Sequence, residues 1–306
     1  MYSLANPQSE FMVEEEYDLP DWHNDPDFSV RDAYNIAFAD QQSRTFANRY
    51  GFFFLWSWYK DLRPSATTPE MEEVVDLLIT DMRHHSDKGC RETATNCLSE
   101  FFWFRSQNEP FTERYQRLAN NILSILKDES LSANEKIDVI RLCGNIEFYL
   151  SVPPIIEILH RNPTPSHQKF SDSMVAACIE TLGKIAIESE DSDTDGDPHL
   201  LALNELISIS VSPRSHYFSK MRAMEALVYA CSPLPKPELF ESPYFDENSE
   251  RKEERILIAL RENRNPWTVR GRGRHGVRWR EEVRIAADEA WSKLRKQSID
   301  FYNRQN

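Results

Sequence analysis

The residues best suited to chemistry in this sequence are arginines, and six of them lie between Arg264 and Arg280 with no carboxylate among them. The whole chain is acidic, with 36 Lys+Arg against 50 Asp+Glu and a net charge of -14. A guanidinium group donates a fork of hydrogen bonds that matches the oxygens of a carboxylate or a phosphate. The segment therefore predicts a site for an anionic partner. The residues assigned to this site are Arg264, Trp267, Arg270, Arg272, Arg274, Arg278, Trp279 and Arg280.

Four interpretations fit this Arg/Gly-rich segment. It binds an acidic protein partner, it binds single-stranded RNA or DNA, it docks on the acidic residues 1–28 of the same chain, or it is a solvated loop. The aromatic side chains between the arginines favour nucleic acid, because bases stack on aromatic rings. The net charge of -14 opposes it, because an acidic surface repels the phosphate backbone. The sequence therefore favours a protein partner.

A run of aspartates between two predicted helices has the spacing of a calcium loop. Asp191, Asp193 and Asp195 match the first, third and fifth ligands of an EF-hand, and a glycine follows where that loop turns sharply. The twelfth position, which requires a bidentate glutamate, is Ala202, and Pro198 is placed to begin the next helix too early. The pattern favours a solvated acidic turn, so we expect no metal site here.

A second turn, between the first two predicted helices, carries the metal-capable side chains of His84, His85, Asp87 and Cys90. A tetrahedral site needs ligands from a second cluster, and the sequence offers none at a suitable spacing. It also contains no Gly-x-Ser-x-Gly motif, no glycine-rich phosphate loop with lysine and no His-Glu-x-x-His motif. We therefore expect a non-catalytic protein without a cofactor.

The elements that position these residues are predicted to be helices. Glycine is scarce, at 8 residues, and helix-forming residues are abundant. From Thr68 onward the apolar spacing indicates five helical pairs. Their helices are predicted within residues 68–85, 90–104, 111–128, 132–150, 152–162, 170–189, 198–210, 215–231, 249–263 and 281–302.

The second helices of these pairs share a pattern in which small residues precede a large one. Aligning the large residue gives Leu98, Cys143, Leu182, Leu227 and Trp291, at intervals of 45, 39, 45 and 64 residues. The first three intervals are typical of stacked two-helix repeats. The longer last interval predicts insertions, one at 232–248 between pairs and one at 264–280, an Arg/Gly-rich loop inside the last pair. Insertions at repeat turns lie on the surface, where binding residues concentrate.

The last of these helices, EEVRIAADEAWSKLRK, resembles the second helix of a HEAT repeat. The matching residues are Val283, Arg284, Ala286, Ala287, Ala290 and Leu294, with Trp291 where leucine is usual. The segment MVAACIETLGKIA is similar but lacks the arginine. The resemblance covers roughly residues 68–302. It implies an all-α, right-handed α-solenoid of about five HEAT-like helical hairpins, in which small residues let neighbouring helices approach closely.

The sequence divides into three predicted regions. Residues 1–28 carry eight carboxylates and no Lys or Arg, and are predicted to form an acidic extended arm. Residues 29–64, with a helical pattern from Ser29, form an aromatic-rich N-terminal helical cap. Residues 65–306 form the HEAT-like repeat solenoid.

The environment and function follow from these regions. Five cysteines without metal-clip spacing predict reduced, mostly buried thiols. No signal-peptide pattern is present, and the aromatic stretch at 50–59 is too short to cross a bilayer. We therefore expect a cytoplasmic protein without a membrane partner. Its predicted function is that of a scaffold or adaptor that binds a protein partner through the solenoid surface and the Arg-rich loop. The alternatives are an accessory subunit of a nucleic-acid-associated complex, or a HEAT-like enzyme resembling DNA glycosylases or phycobiliprotein lyases.

Overall fold

The computed structural model of the chain describes residues 29, 31–32, 34–35, 69–85, 87–106, 113–131, 133–162, 173–188, 197–242, 245, 251–265 and 273–305. Over these residues the protein is all-α, with ten α-helices, three short 3-10 helices and no strand. The predicted acidic arm (1–28) and most of the predicted aromatic cap (29–64) lie outside them. Contacts divide the chain into two compact units, Met1–Asp76 and Leu77–Asn306.

Each of the ten α-helices overlaps one of the stretches that the apolar spacing predicts, although α10 begins well before its predicted start. They are α1 (Pro69–His84), α2 (Lys88–Ser106), α3 (Glu113–Lys127), α4 (Ala133–Asn145), α5 (Val152–Arg161), α6 (Met174–Ile185), α7 (Pro198–Val211), α8 (Tyr217–Ala230), α9 (Lys252–Asn263) and α10 (Gly273–Gln305). The 3-10 helices are Tyr149–Ser151, Ala186–Glu188 and Pro237–Glu241. Among these described helices, none combines the length and the apolar character that crossing a bilayer requires.

In the first unit, the described residues open with reciprocal hydrogen bonds between Ser29 and Asp32. The Ser29 hydroxyl accepts from the Asp32 N–H at 3.1 Å, and the Asp32 carboxylate accepts from the Ser29 N–H at 2.9 Å. This arrangement is a capping box, which satisfies free N–H groups at a helix start. A helix therefore begins at this point of the chain.

In the second unit, the helices from α2 to α10 pack in two series. One series is α2, α4, α6, α8 and α10, each packed on the next, and the other is α3, α5, α7 and α9. The two series are joined because α3 packs on α4, α5 on α6, α7 on α8 and α9 on α10. Each helix therefore buries its apolar stripe against its neighbours in sequence and against the next helix of its own series.

The core of this unit contains the repeated large residue of the second helices. Leu98, Cys143, Leu182 and Leu227 are each 0% exposed. The equivalent Trp291 is half-buried. All five cysteines are free and buried, which confirms the expectation for the thiols. The sequence register therefore identifies the core face of these helices correctly.

Two glycines set the closest approaches between helices of the first series. A Cβ atom on Gly183 would lie 2.8 Å from the Cβ of Ala226, on α8. A Cβ on Gly144 would lie 3.1 Å from the Cα of Thr181, on α6. Real Cβ atoms do not approach other carbons as closely as 2.8 Å, so α6 and α8 meet as they do because Gly183 has no side chain.

The predicted insertion at 232–248 packs against α10 over its described residues. The ring of Phe240 meets Trp291 edge-on, with centroids 5.3 Å apart. The Tyr302 hydroxyl donates to the Leu234 carbonyl at 3.3 Å, and Arg295 forms an ion pair with Glu241. These contacts explain why a tryptophan stands where α2, α6 and α8 have leucine, since its larger ring reaches Phe240 and Phe245.

The prediction of a single loop from 264 to 280 is wrong over its second half. Helix α10 begins at Gly273, so 273–280 are helical, whereas 266–272 lie outside the described residues. Glycine lowers helix propensity by about 1 kcal/mol, which is why the sequence predicted a loop. The helix nevertheless extends through this region, because lengthening a long helix requires no new nucleus and Trp279 packs against α8.

Candidate functional site

The first turns of α10 rest on the start of α8 through aromatic stacking. The rings of Trp279 and Tyr217 are nearly parallel, with an interplanar angle of 12° and centroids 5.2 Å apart. The His216 ring lies 6.3 Å from the Trp279 ring. Tyr217 is buried and Trp279 is half-buried. Trp279, which the sequence assigned to partner binding, therefore also anchors the helix that carries the arginines.

Beside this stack, two side chains of the same turns are open to solvent. Val277 is 66% exposed, and the Arg278 side chain is 72% exposed. The Nε of Arg278 donates to the Glu282 carboxylate at 2.8 Å, one turn further along α10. An exposed ion pair of this kind contributes less than about 1 kcal/mol. The guanidinium of Arg278 can therefore exchange Glu282 for a carboxylate of a partner at little cost.

The other predicted binding residues have different surroundings. Arg264, at the end of α9, donates from Nε to Asp288 at 2.6 Å, and its guanidinium carbon lies 5.3 Å from the centre of the Trp291 ring. It therefore ties α9 to α10. Arg280 is half-buried on α10. Trp267, Arg270 and Arg272 lie outside the described residues, as does the side chain of Arg274. Their contact with a partner stays a prediction.

The structure describes one of the two candidate metal turns and only the end of the other. Asp191, Asp193 and Asp195 lie outside the described residues, and Asp197 caps α7 by accepting from the N–H of His199 at 2.9 Å. At the other turn, Asp87 accepts from the N–H of Cys90 at 3.1 Å and caps α2. No group of three or more His, Cys, Asp or Glu side chains is placed to hold a metal in the residues described.

Two lysines that were not predicted to be special are buried. Lys220 is 0% exposed, and its Nζ donates to the Ser210 carbonyl in the last turn of α7 at 2.7 Å. Lys252 is 3% exposed, and its Nζ donates to the Ile187 carbonyl at 2.6 Å. Burial lowers the pKa of Lys220 to about 8. Carbonyls at helix ends have no partner within the helix, so both ammonium groups act as caps supplied by another helix.

The repeat register held a signal for the first of these lysines. Arg284 lies seven residues before Trp291, and Lys220 lies seven residues before Leu227. The same position therefore carries a cation in both helices. A lysine normally indicates a solvated position, so only this equivalence in the aligned register could have pointed to a special role for Lys220.

A second candidate site is formed by polar side chains of α2, α4, α6 and α8. Asn145 donates from Nδ2 to the Ser99 hydroxyl at 3.2 Å, and Lys184 donates from Nζ to the Asn145 side-chain oxygen at 2.5 Å. Tyr229, at the position of α8 that corresponds to Lys184, is 52% exposed. Burial, and after it the charge of Glu147, raises the pKa of Tyr229. The charge of Glu147 acts on both Lys184 and Tyr229, and Lys184 is bonded to Asn145. We therefore group Asn145, Lys184 and Tyr229 as the polar row.

Glu147, next to the polar row, has a backbone conformation that favours glycine. Its φ is 52°, and the following N–H, of Phe148, donates to the Cys143 carbonyl at 2.8 Å. These are the features of a helix end closed by a left-handed residue, where glycine has no Cβ strain. A glutamate at this position is therefore strained relative to glycine.

Glu147→Gly is expected to raise the free energy of unfolding by about 0.5–1 kcal/mol, because glycine adopts the left-handed conformation without strain. Urea denaturation measures this change. Glu147→Ala is the matched control, since it removes the same carboxylate and keeps the Cβ. If the alanine variant is as stable as the glycine variant, the strain at this helix end is refuted.

Comparisons with known proteins found no relative that assigns a function. No protein-family model matches the chain, and no curated protein matches its sequence. The two surfaces that bear on function are therefore the start of α10, with its arginines, and the polar row.

Proposed function

We propose that this protein is a non-catalytic scaffold or adaptor that binds a protein partner, and that the packing of α2 to α10 is a right-handed α-solenoid of HEAT-like hairpins. The two series of helices support this architecture, as do the equivalent buried residues Leu98, Cys143, Leu182 and Leu227. Stacked hairpins place equivalent residues side by side along an extended surface, which suits the binding of another protein.

The observation that carries the proposed binding site is the exposure of Arg278 beside Val277 at the start of α10. An exposed guanidinium next to an exposed apolar side chain fits a protein surface that presents carboxylates and apolar groups. The stack of Trp279 on Tyr217 holds this turn in place before a partner binds. Binding therefore does not carry the entropy cost of ordering the turn. Arginines at 270, 272 and 274 add positive charge directly before it in the sequence.

The polar row is the part of the proposed solenoid surface that would contact the same partner or a second one. Glu180, Glu225 and Glu289 occupy equivalent positions on α6, α8 and α10, and all three are exposed. Carboxylates along this side oppose a polyanion, because they repel its phosphates. This distribution favours a protein partner over RNA or DNA.

Replacing Arg270, Arg272, Arg274 and Arg278 together by serine is expected to abolish retention of the partner and leave the fold intact. Each charge-assisted hydrogen bond contributes about 1.5–3 kcal/mol, so loss of a single one weakens binding by at least about ten-fold. The measurement is affinity capture from cells of the native source, with mass spectrometry, followed by titration of the purified partner. Circular dichroism and thermal melting check the fold.

The matched control replaces four exposed arginines elsewhere, Arg161, Arg214, Arg251 and Arg304, by serine and so makes the same change in net charge. A partner retained by the control and lost by the first variant supports the proposal. Equal retention by both variants contradicts it. If retention disappears after nuclease treatment and falls steeply with salt, as counterion release requires, the bound molecule is nucleic acid, and the alternative of an accessory subunit replaces the proposal.

A further inference from the structure

The N-cap of α8 is a histidine, which is a rare residue for this task. The His216 side chain accepts from the backbone N–H of Phe218 at 3.4 Å. Serine, threonine, aspartate and asparagine are the usual N-caps, and none of them changes charge near neutral pH. A neutral imidazole has one nitrogen that accepts a hydrogen bond, whereas the protonated ring has none. Protonation of His216 therefore removes this cap.

The same imidazole lies against the aromatic contact that holds the start of α10. Its centroid is 4.7 Å from the Tyr217 ring and 6.3 Å from the Trp279 ring. Tyr217 is both the first residue of α8 and the platform on which Trp279 stacks. A change in the first turn of α8 is therefore transmitted directly to the first turns of α10.

The surroundings of His216 oppose its protonation. The charged groups that act on the neighbouring Tyr217 and on Lys220 are of both signs: Arg278 and Glu282 on α10, which form an ion pair with each other, and Glu262 on α9. The ring also lies at the N-terminus of α8, where the helix dipole disfavours positive charge. Burial lowers the pKa of His216 below its usual value, so the ring is neutral at pH 7 and the cap is intact.

We infer that His216 is an acid-sensitive latch for the first turns of α10. When the ring is protonated, α8 loses its cap, a positive charge is added next to the Tyr217 ring, and the stack of Tyr217 on Trp279 loosens. The helical residues 273–280 then unfold locally more often. Arg278 and Arg280 are then no longer held in one position for contact with a partner. The consequence for a partner rests on the proposed function, whereas the latch itself is measured on the protein alone.

The direction of the pH effect follows from linkage. Because the pKa of His216 is lower in the folded protein, an opened α8 start takes up the proton first as the pH falls. Opening therefore becomes easier below about pH 6.5, the ordinary pKa of histidine. Above that pH both forms are neutral, and the latch is closed.

Hydrogen exchange with mass spectrometry on the full-length protein tests the latch at pH 7.5 and pH 5.0, with labelling times corrected for the intrinsic exchange rate. Peptides covering 273–285 report the start of α10, and peptides within α6 serve as the internal reference. In the wild type, protection of the first set is expected to fall by about ten-fold, the equivalent of one lost N-cap. In His216→Asn and His216→Ser, whose caps do not titrate, protection should be the same at both pH values.

Three outcomes overturn the inference. They are unchanged protection in the wild type, an equal loss in both non-titrating variants, and an equal loss in the α6 reference, which would indicate general acid unfolding. Two variants are used so that a failure of one to fold does not decide the test. A protein whose arginines bind no partner can still show the latch, and a protein without the latch can still bind its partner, so the two proposals fail separately.

Discussion

Replacing Gly183 by leucine is expected to lower the free energy of unfolding by about 3 kcal/mol, because overpacking of a core forces side chains and backbone apart. A Cβ at this position would meet the Cβ of Ala226 at 2.8 Å and its Cα at 3.2 Å. The Cα cannot move without displacing α8 as a whole. Helix α6 also packs against α4, which opposes a displacement of α6 away from α8. Urea denaturation measures the loss.

Two controls separate this effect from a general sensitivity of α6. Glu180→Leu adds the same side chain three residues earlier on the exposed side, and surface changes usually alter stability by no more than about 0.5 kcal/mol. The second control moves the methyl group from one helix to the other. Gly183→Ala combined with Ala226→Gly should be more stable than Gly183→Ala alone, since the double variant lacks the Ala226 Cβ that the new Cβ would meet. A stable Gly183→Leu variant would contradict the close approach of α6 and α8.

The second large effect concerns the buried ammonium of Lys220. Burial lowers the pKa of Lys220 from 10.5 in the unfolded chain to about 8 in the folded protein. Between these values the unfolded chain holds a proton that the folded protein has released, so folding stability rises with pH. Relative to Lys220→Met, the wild type should therefore gain about 2 kcal/mol between pH 7.5 and pH 9.5.

The comparison with Lys220→Met is needed because other buried groups act in the opposite direction. Burial raises the pKa of Cys143 and of Cys231 to about 12, from 9.0. Above pH 9 the unfolded thiols ionise and the folded ones do not, so stability is lost there. This loss is common to both proteins and cancels in their difference. Lys293→Met, which makes the same replacement at an exposed position of α10, is the matched control.

A difference between wild type and Lys220→Met that is constant across this range would contradict the buried position of the ammonium group. A difference that changes in the opposite direction would mean that folding raises the pKa of Lys220, as an ion pair with a carboxylate would. Urea denaturation at each pH distinguishes these cases, because the slope of stability with pH counts the protons released.

Local patterns explain how much of the helical structure the sequence predicts. The start of α7 at Pro198 and the core position of Leu182 follow from residue type and spacing, since the stripe on a helix depends on neighbours three and four positions away. The start of α10 does not follow in this way. Gly273 and Gly276 lower its local propensity, and Trp279 offsets that loss by packing on a residue of another helix.

The candidate sites also divide into features that depend on local sequence and features that depend on packing between helices. The sequence by itself determined that arginines are concentrated at 264–280, that the thiols are buried, and that equivalent residues recur along the second helices, because each depends on composition or on one helix alone. The tertiary structure decided that Lys220 is a buried cap, that the polar row passes through Asn145 and Lys184, and that His216 touches the stack under the arginines. In each case the second group comes from a different helix, and its distance depends on how the helices pack.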